Sequence, residues 1–306
     1  MFDAGDVRSN RYRLFLSTVY SPSPFYTLNL GVLHEVEESR SKANSFRTAL
    51  NLHPNNDLTF RLGYSHSERL PSLYESYGQI TYYLDGDRNR IFNAVKRPNL
   101  NLASERVSSQ EVGVLYNFQT IKGNIDLRIF NERISRGIET IRVNSTLPQM
   151  DNSETVRIEK NISRWSNLGA EFQLKMQPTN QLWFLFNYAY INSTKDGFNN
   201  GNRWIERSQL APRHSASALV NWQVVPDLHL SATHYYQDVM HWFKGDTRKA
   251  YNRTDLRIAK QWYTDNNITA ETSFTVQNAL GKTYQEFYDY HDFERRFFLT
   301  FRLKYE

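Results

Sequence analysis

His229, His234 and His241 fall close together, beside Trp242. Clustered imidazoles are the usual ligands of a transition metal, but these match no known ligand spacing, and no metal is expected. The stretch from Tyr77 to Asn93 carries Tyr82, Tyr83, Asp85, Asp87, Arg88 and Arg90. Trp204 sits among Arg203, Glu206 and Arg207. Aromatic rings beside charges suit capture of a siderophore or a sugar, and they equally suit an ordinary solvated loop. The candidate ligand contacts are therefore Tyr82, Tyr83, Arg88, Arg90, Trp204 and Trp242. For catalysis there is no glycine-rich phosphate loop, no Ser-His-Asp set with usable spacing and no paired-carboxylate motif, so no enzyme and no cofactor is expected.

The elements that carry these residues are strands. Alternation of apolar and polar residues dominates the chain. Leu58, Phe60, Leu62 and Tyr64 share one face, and Thr59, Arg61, Gly63 and Ser65 the other. Ala170, Phe172, Leu174 and Met176 oppose Glu171, Gln173 and Lys175, and Phe297 to Tyr305 repeats the pattern. The spacing predicts about 13 strands, each of the length a tilted strand needs to cross a bilayer. They lie near 10–20, 25–36, 44–52, 58–65, 109–118, 124–134, 167–176, 182–191, 213–222, 228–237, 250–261, 267–277 and 295–305. Phe184, Phe186, Tyr188, Tyr190, Trp222 and Tyr305 read as lipid face and interfacial girdle. Arg61, Arg128, Glu171, Lys175, Arg257, Glu271 and Arg302 read as lumen charges that pair across the wall.

Tight turns alternate with long connections. Ser21-Pro22-Ser23-Pro24, Pro54-Asn55-Asn56-Asp57, Pro178-Thr179-Asn180-Gln181, Val225-Pro226-Asp227 and Thr264-Asp265-Asn266-Asn267 have the composition turns require. The long connections fall near 66–108, 135–166, 192–212, 238–249 and 278–294. That alternation is the topology of an outer-membrane β-barrel with short periplasmic turns and long external loops.

Composition agrees. No apolar run reaches the roughly 18 residues a membrane-spanning helix needs, yet the chain holds 19 Tyr, 19 Phe and 6 Trp. Cysteine is absent, which excludes disulfides and thiol chemistry. A net charge of +5 spread along 306 residues does not indicate nucleic acid. The N-terminus lacks a signal-peptide pattern, and with an odd strand count the first strand begins outside. Both features imply a portion of something longer, one unit over 1–306.

Several segments resemble TonB-dependent receptors. Arg69-Leu70-Pro71-Ser72-Leu73-Tyr74-Glu75 is similar to the family's R-x-P-(S/T)-(L/F)-x-E signature at the entry to an external loop. Arg97 to Glu105 resembles N-P-(N/D)-L-K-P-E. It leads into Gln110-Glu111-Val112-Gly113-Val114-Leu115-Tyr116, similar to x-E-L-G-x-x-Y. Asn167 to Leu174, Ala211-Pro212-Arg213-His214, and Val276-Gln277-Asn278-Ala279-Leu280-Gly281-Lys282-Thr283-Tyr284 continue the series in order. The resemblance implies an all-β fold, an antiparallel transmembrane β-barrel of which these strands are a part, the whole having about 22. It further implies outer-membrane lipid around the barrel, a small-molecule ligand (a siderophore, cobalamin or glycan), and the TonB complex as partner through a plug absent from this chain. The motif residues carried over are Arg69, Pro71, Ser72, Leu73 and Glu75. Two readings compete: a passive porin-like channel, and a soluble all-β binding protein in which the apolar faces pack on one another.

Overall fold

The structure is a computed structural model and describes residues 7–38, 42–84, 87–144, 155–195, 211–241, 247–263, 268–286 and 291–305. Four strands open the chain: β1 (Arg11–Ser23), β2 (Tyr26–Glu37), β3 (Lys42–Leu52) and β4 (Leu58–Arg69). A connection follows that holds α1 (Leu73–Tyr77), β5 (Ile80–Leu84) and β6 (Asp87–Lys96). The wall resumes with β7 (Glu105–Phe118), β8 (Gly123–Asn144), β9 (Thr155–Met176), β10 (Leu182–Lys195), β11 (His214–Val225) and β12 (Leu228–Gln237). Short β13 (Met240–His241) and β14 (Thr247–Arg248) precede β15 (Tyr251–Tyr263) and β16 (Ile268–Gln277). Short β17 (Tyr284–Gln285) and β18 (Asp292–Phe293) precede β19 (Arg296–Tyr305).

The wall strands pair in the order β1-β2-β3-β4-β7-β8-β9-β10-β11-β12-β15-β16-β19, each antiparallel to the next. These are the thirteen strands that the alternation predicts. The sheet is a meander because every second connection is too short for any other route; the turn expected at Thr264-Asp265-Asn266-Asn267 lies outside the described residues. Asn55 closes one such turn by accepting from the Asp57 and Leu58 amides at 2.9 Å. At another, Asp227 takes the left-handed backbone (φ 69°) that Asp tolerates.

The barrel is not closed. Among the described residues β1 and β19 each pair on one side only. With an odd number of antiparallel strands between them, both edges run in the same direction. They cannot pair with each other antiparallel, so closure requires an intervening set of strands that is itself odd in number.

One connection differs from expectation. The described residues of 135–166 are strand: β8 and β9 are each 22 residues long and pair as a ribbon that rises past the other strands. Its local sequence is rich in charged residues, which hides the alternation. The pairs Ile141↔Ile158 and Val143↔Val156 hold it together, with Ile141 and Val156 buried. No additional wall strand lies in its described part, and among the described residues the wall count is odd.

Register sorts the two faces. Leu50, Leu62, Val112, Ile129 and Ala170 are successive partners on one face, and Ala49, Gly63, Glu111 and Phe130 on the other. The first face is apolar and exposed, as a lipid-facing surface is: Leu62 is 44% exposed, Val112 56% and Ile129 51%. At its short-turn end stand Tyr20, Tyr26, Tyr116, Trp222, Trp262 and Tyr305, all exposed. Tyr12, Tyr64, Tyr188 and Tyr190 stand towards the other end of that face. Aromatic belts at both margins of an apolar band are the signature of a bilayer crossing.

The inner face is polar. Arg61 pairs with Asp126, Arg128 bridges Glu111 (2.7 Å) and Glu171 (3.2 Å), and Arg257 meets Glu271 at 2.7 Å. Lys175 and Arg302 share this face without an ion pair among the described residues. Small residues let the ladders pack. The Phe130 ring lies over Gly169, where a Cβ would come within 2.4 Å of it, and the Arg128 guanidinium stacks on that ring at 4.8 Å.

Candidate functional site

The inner face is richest in chemistry at the long-loop end of β12 and β15. Tyr235 and Gln237 face inward from β12, opposite Arg253 and Tyr251 of β15. The Arg253 guanidinium lies 4.4 Å from the Tyr235 ring centre, pairs with Asp255 at 3.1 Å and Glu286 at 3.5 Å, and donates to the Tyr284 hydroxyl at 3.3 Å. Tyr251 stacks on Tyr284 at 4.7 Å, and Tyr284 on Phe293 at 5.4 Å. Arg248 closes the top: buried to 3% exposure, it donates to the Gln237 amide oxygen (2.6 Å) and the Asp238 carbonyl (2.9 Å) and lies 5.2 Å from the Tyr251 ring.

Tyr284 reaches this cluster through the connection after β16. Asn278 adopts the left-handed backbone (φ 54°), as Asn can, and Gly281 follows with φ 74°. The Asn278 amide donates to Asp255 Oδ1 (2.9 Å), and its side chain donates to the Lys282 carbonyl (2.8 Å). The chain therefore doubles back over β15 and sets Tyr284 against Tyr251. The segment Val276 to Tyr284, recognised in the sequence only as a motif, is the device that builds the cluster.

Below the cluster, a recess of about 690 Å³ opens into the lumen. Tyr235, Tyr251 and Arg253 line its upper side, and Arg61, Asp126, Arg128 and Glu171 its far side. Gln173, Asn187 and Ser217 form a hydrogen-bonded row along its floor, at 2.9 and 3.2 Å. Stacked ring faces next to guanidinium groups bind planar, electron-rich and anionic solutes. The arrangement is of a kind that can bind such a solute. Among the described residues no three His, Asp or Glu side chains converge to hold a metal ion.

The rim around the mouth is cross-linked by hydrogen bonds and ion pairs. Arg69, the last residue of β4, forks onto Glu75 (2.8 and 3.0 Å) and also bonds Glu105 at the start of β7. Ser72 caps α1, and Glu75 returns a bond to the Ser72 amide at 2.7 Å. Burial pushes the Glu75 carboxyl up, but the Arg69 and Ser72 hydrogen bonds outweigh it and hold its pKa below 4.5. The Arg11 guanidinium takes the Pro71 carbonyl at 2.6 Å. The R-x-P-S-L-x-E motif is thus a latch that ties the loop to three strands; Leu73 begins the helix it nucleates. Further along, β6 meets β9 through Lys96↔Arg157. There Lys96 is buried with Glu159 (2.6 Å) under the Tyr74 ring, and Thr140 also donates to Glu159.

The residues singled out for ligand contact stand apart from the cluster. Tyr82 and Tyr83 are neighbours on β5, so alternation turns them to opposite sides; Tyr82 is 51% exposed and Tyr83 is half-buried. Arg88 and Arg90 belong to β6, but their side chains, like Trp204 and Trp242 altogether, lie outside the described residues. His229 and His234 face opposite sides of β12. His234 bonds Thr254, and His241 bonds Thr247 in the loop pair. The sequence reading missed Tyr235, Tyr251, Arg253 and Tyr284. The available signal was inward parity at the long-loop end of two adjacent strands.

A strand meander with an apolar outer face between aromatic belts and an ion-paired inner face is the wall of a transmembrane β-barrel. This chain belongs to the family described as TonB dependent receptor-like, beta-barrel, which matches residues 2–295. Among solved structures it is similar to a variant of the ferric enterobactin receptor PfeA from Pseudomonas aeruginosa, with a TM-score of 0.72 at 16% identity, covering 96% of this chain and 44% of that one. The siderophore receptor PirA from Acinetobacter baumannii gives 0.72 at 13% identity, with 98% and 47% covered. The ferric-catecholate import receptor Fiu from K12 E. coli gives 0.67 at 14%, with 96% and 44% covered. The chain thus spans less than half the length of the solved receptors it resembles. No curated protein sequence matches it.

Proposed function

We propose that the chain is the larger part of the barrel of an outer-membrane receptor that takes up a siderophore, with its long loops outside the cell and its tight turns in the periplasm. Lipid surrounds the apolar band. The TonB complex supplies energy through a plug that lies beyond these residues, and the chain contributes solute capture and the lumen wall. The observation that carries this reading is the stack of Tyr251, Tyr284 and Phe293 with Arg253 and Arg248 above a polar recess in a barrel of this family. A ferric siderophore is anionic and, in the catecholate class, aromatic, so ring faces and guanidinium donors match both properties. One of the similar structures is a PfeA variant in complex with enterobactin, and such a ligand class fits the cluster. The external loops carrying Tyr82, Tyr83, Arg88, Arg90, Trp204 and Trp242 are proposed as secondary contacts on the approach. The test is a titration of the purified receptor with a ferric catecholate, read by tryptophan quenching. Arg253→Ala with Tyr251→Ala is expected to weaken binding at least about tenfold while heat-modifiable gel mobility is kept. Unchanged affinity in that variant would remove the cluster from the site.

A further inference from the structure

We infer that the recess below the aromatic cluster takes a neutral sugar ring carried by the solute, held on a row formed by Gln173, Asn187 and Ser217. The inference rests on the receptor reading above and names the part of the solute that enters the lumen. Two registers of the wall make the recess. In the lower one, Gln173 of β9, Asn187 of β10, Ser217 of β11 and Tyr235 of β12 are successive cross-strand partners. In the upper one, Glu171, Ala189, Ser215 and Gln237 are. The small side chains of Ala189, Ser215 and Ser217 leave a hollow, and Tyr235 and Tyr251 wall it on one side. Its volume of about 690 Å³ falls within the roughly 300–1,000 Å³ of small-molecule sites.

Charge argues against an anion in this place. Every guanidinium that lines the recess already has a carboxylate. Arg61 has Asp126, Arg128 has Glu111 and Glu171 (2.7 and 3.2 Å), and Arg253 has Asp255 and Glu286 (3.1 and 3.5 Å). A phosphate or carboxylate entering here would lose water and meet only matched charges. Arg248, above the recess, has no ion pair among the described residues, so an anionic part of the solute belongs at the top. The row itself suits hydroxyl groups. Gln173 Nε2 donates to Asn187 Oδ1 (2.9 Å), and Asn187 Nδ2 donates to the Ser217 hydroxyl (3.2 Å). That leaves the Gln173 amide oxygen to accept, and the Ser217 hydroxyl and the second N–H of each amide to donate. A sugar hydroxyl both donates and accepts and can use all of them, whereas the oxygens of an anion only accept. The C–H side of a sugar ring is apolar and fits the tyrosine rings beside the row.

The purified receptor would be titrated by calorimetry with three probes: a ferric catecholate, the same complex with glucose on its catechol rings, and the same complex with sulfonate in place of glucose. The glucose-bearing complex is expected to bind about tenfold tighter than the plain one, by the same ratio at low and high salt, and the sulfonate is expected to add nothing. In Gln173→Leu with Asn187→Leu, checked for heat-modifiable mobility, the ratio between glucose-bearing and plain complexes is expected to fall to about one. Equal affinity of the native receptor for those two complexes, a ratio unchanged in the variant, or a larger gain from sulfonate than from glucose would overturn the inference. Free maltotriose separates the two readings. If neither ferric complex binds but maltotriose does, and the variant loses it, the siderophore reading falls and the sugar site stands. A receptor that binds the ferric complexes alike, with no preference for glucose, overturns this inference alone, and one that binds no probe overturns both.

Discussion

Leu62→Arg and Arg61→Leu are adjacent changes with opposite expected outcomes. Leu62 lies outward in the middle of the apolar run of β4, between Leu50 and Val112 on the neighbouring strands. A charge there faces hydrocarbon, and an Arg near the bilayer midplane costs about 2–4 kcal/mol. At 1.4 kcal/mol per tenfold, that is roughly thirty- to seven-hundred-fold in the folding equilibrium. Arg61 faces the lumen and pairs with Asp126, with the two side chains 35% and 34% exposed. An ion pair so open to water is worth about 0–1 kcal/mol, and Asp126 remains hydrated when its partner is lost. The assay is the urea midpoint for folding of the receptor into lipid vesicles, read by heat-modifiable gel mobility. Leu62→Arg is expected to lower it sharply, and Arg61→Leu little. Equal sensitivity at the two positions, or greater sensitivity at Arg61, would refute the assignment of faces and with it the membrane reading.

Lys96→Met is expected to leave Glu159 buried and unpaired, at a local cost of about 3–5 kcal/mol, and so to speed proteolysis between residues 80 and 96 in the folded barrel. Lys96→Met with Glu159→Leu is expected to be milder than either single change. The Glu75 carboxyl is held below its ordinary value of 4.5, so its contribution to the latch is complete above that pH and is lost as pH falls through the lower folded value. Protection of the α1 amides against hydrogen exchange is expected to fall as pH is lowered below 4.5 through the depressed folded value in the native receptor, and to be insensitive to that step in Glu75→Gln. Gly169→Val is expected to destabilise the barrel by about 1–3 kcal/mol by displacing the Phe130 ring, and Phe130→Ala to recover part of that loss; urea midpoints of the pair check it. These 306 residues refolded by themselves are expected to give no heat-modifiable monomer that binds a siderophore tightly. Among the described residues the edge strands β1 and β19 pair on one side only and run the same way, and unpaired backbone in lipid costs several kcal/mol per group.

The sequence by itself determined the wall. Alternation is a local property, set by which side of a pleated strand each residue leaves, so Leu58 to Tyr64 fixed both a strand and its two faces. Tight turns rich in Pro, Asn and Asp fixed the meander, because a strand followed by so short a link can only pair with its neighbour. The inward placement of Arg61, Arg128, Glu171, Arg257 and Glu271 followed from parity alone. The ribbon of β8 and β9 was not legible, since its pairing depends on Ile141 meeting Ile158 and Val143 meeting Val156 across a connection. Nor was the roles of the recognised motifs. Arg69 and Glu75 had been matched as a pattern, but only the structure brings Glu105 of β7 to the same guanidinium. Tyr251 and Tyr284 come from different strands and stack because Asn278 turns the chain back over Asp255. Such convergence depends on register and on a single left-handed residue, neither of which leaves a periodic trace in the sequence. Strand faces are decided by neighbours in the chain, whereas the cluster at the mouth is decided by neighbours across the sheet.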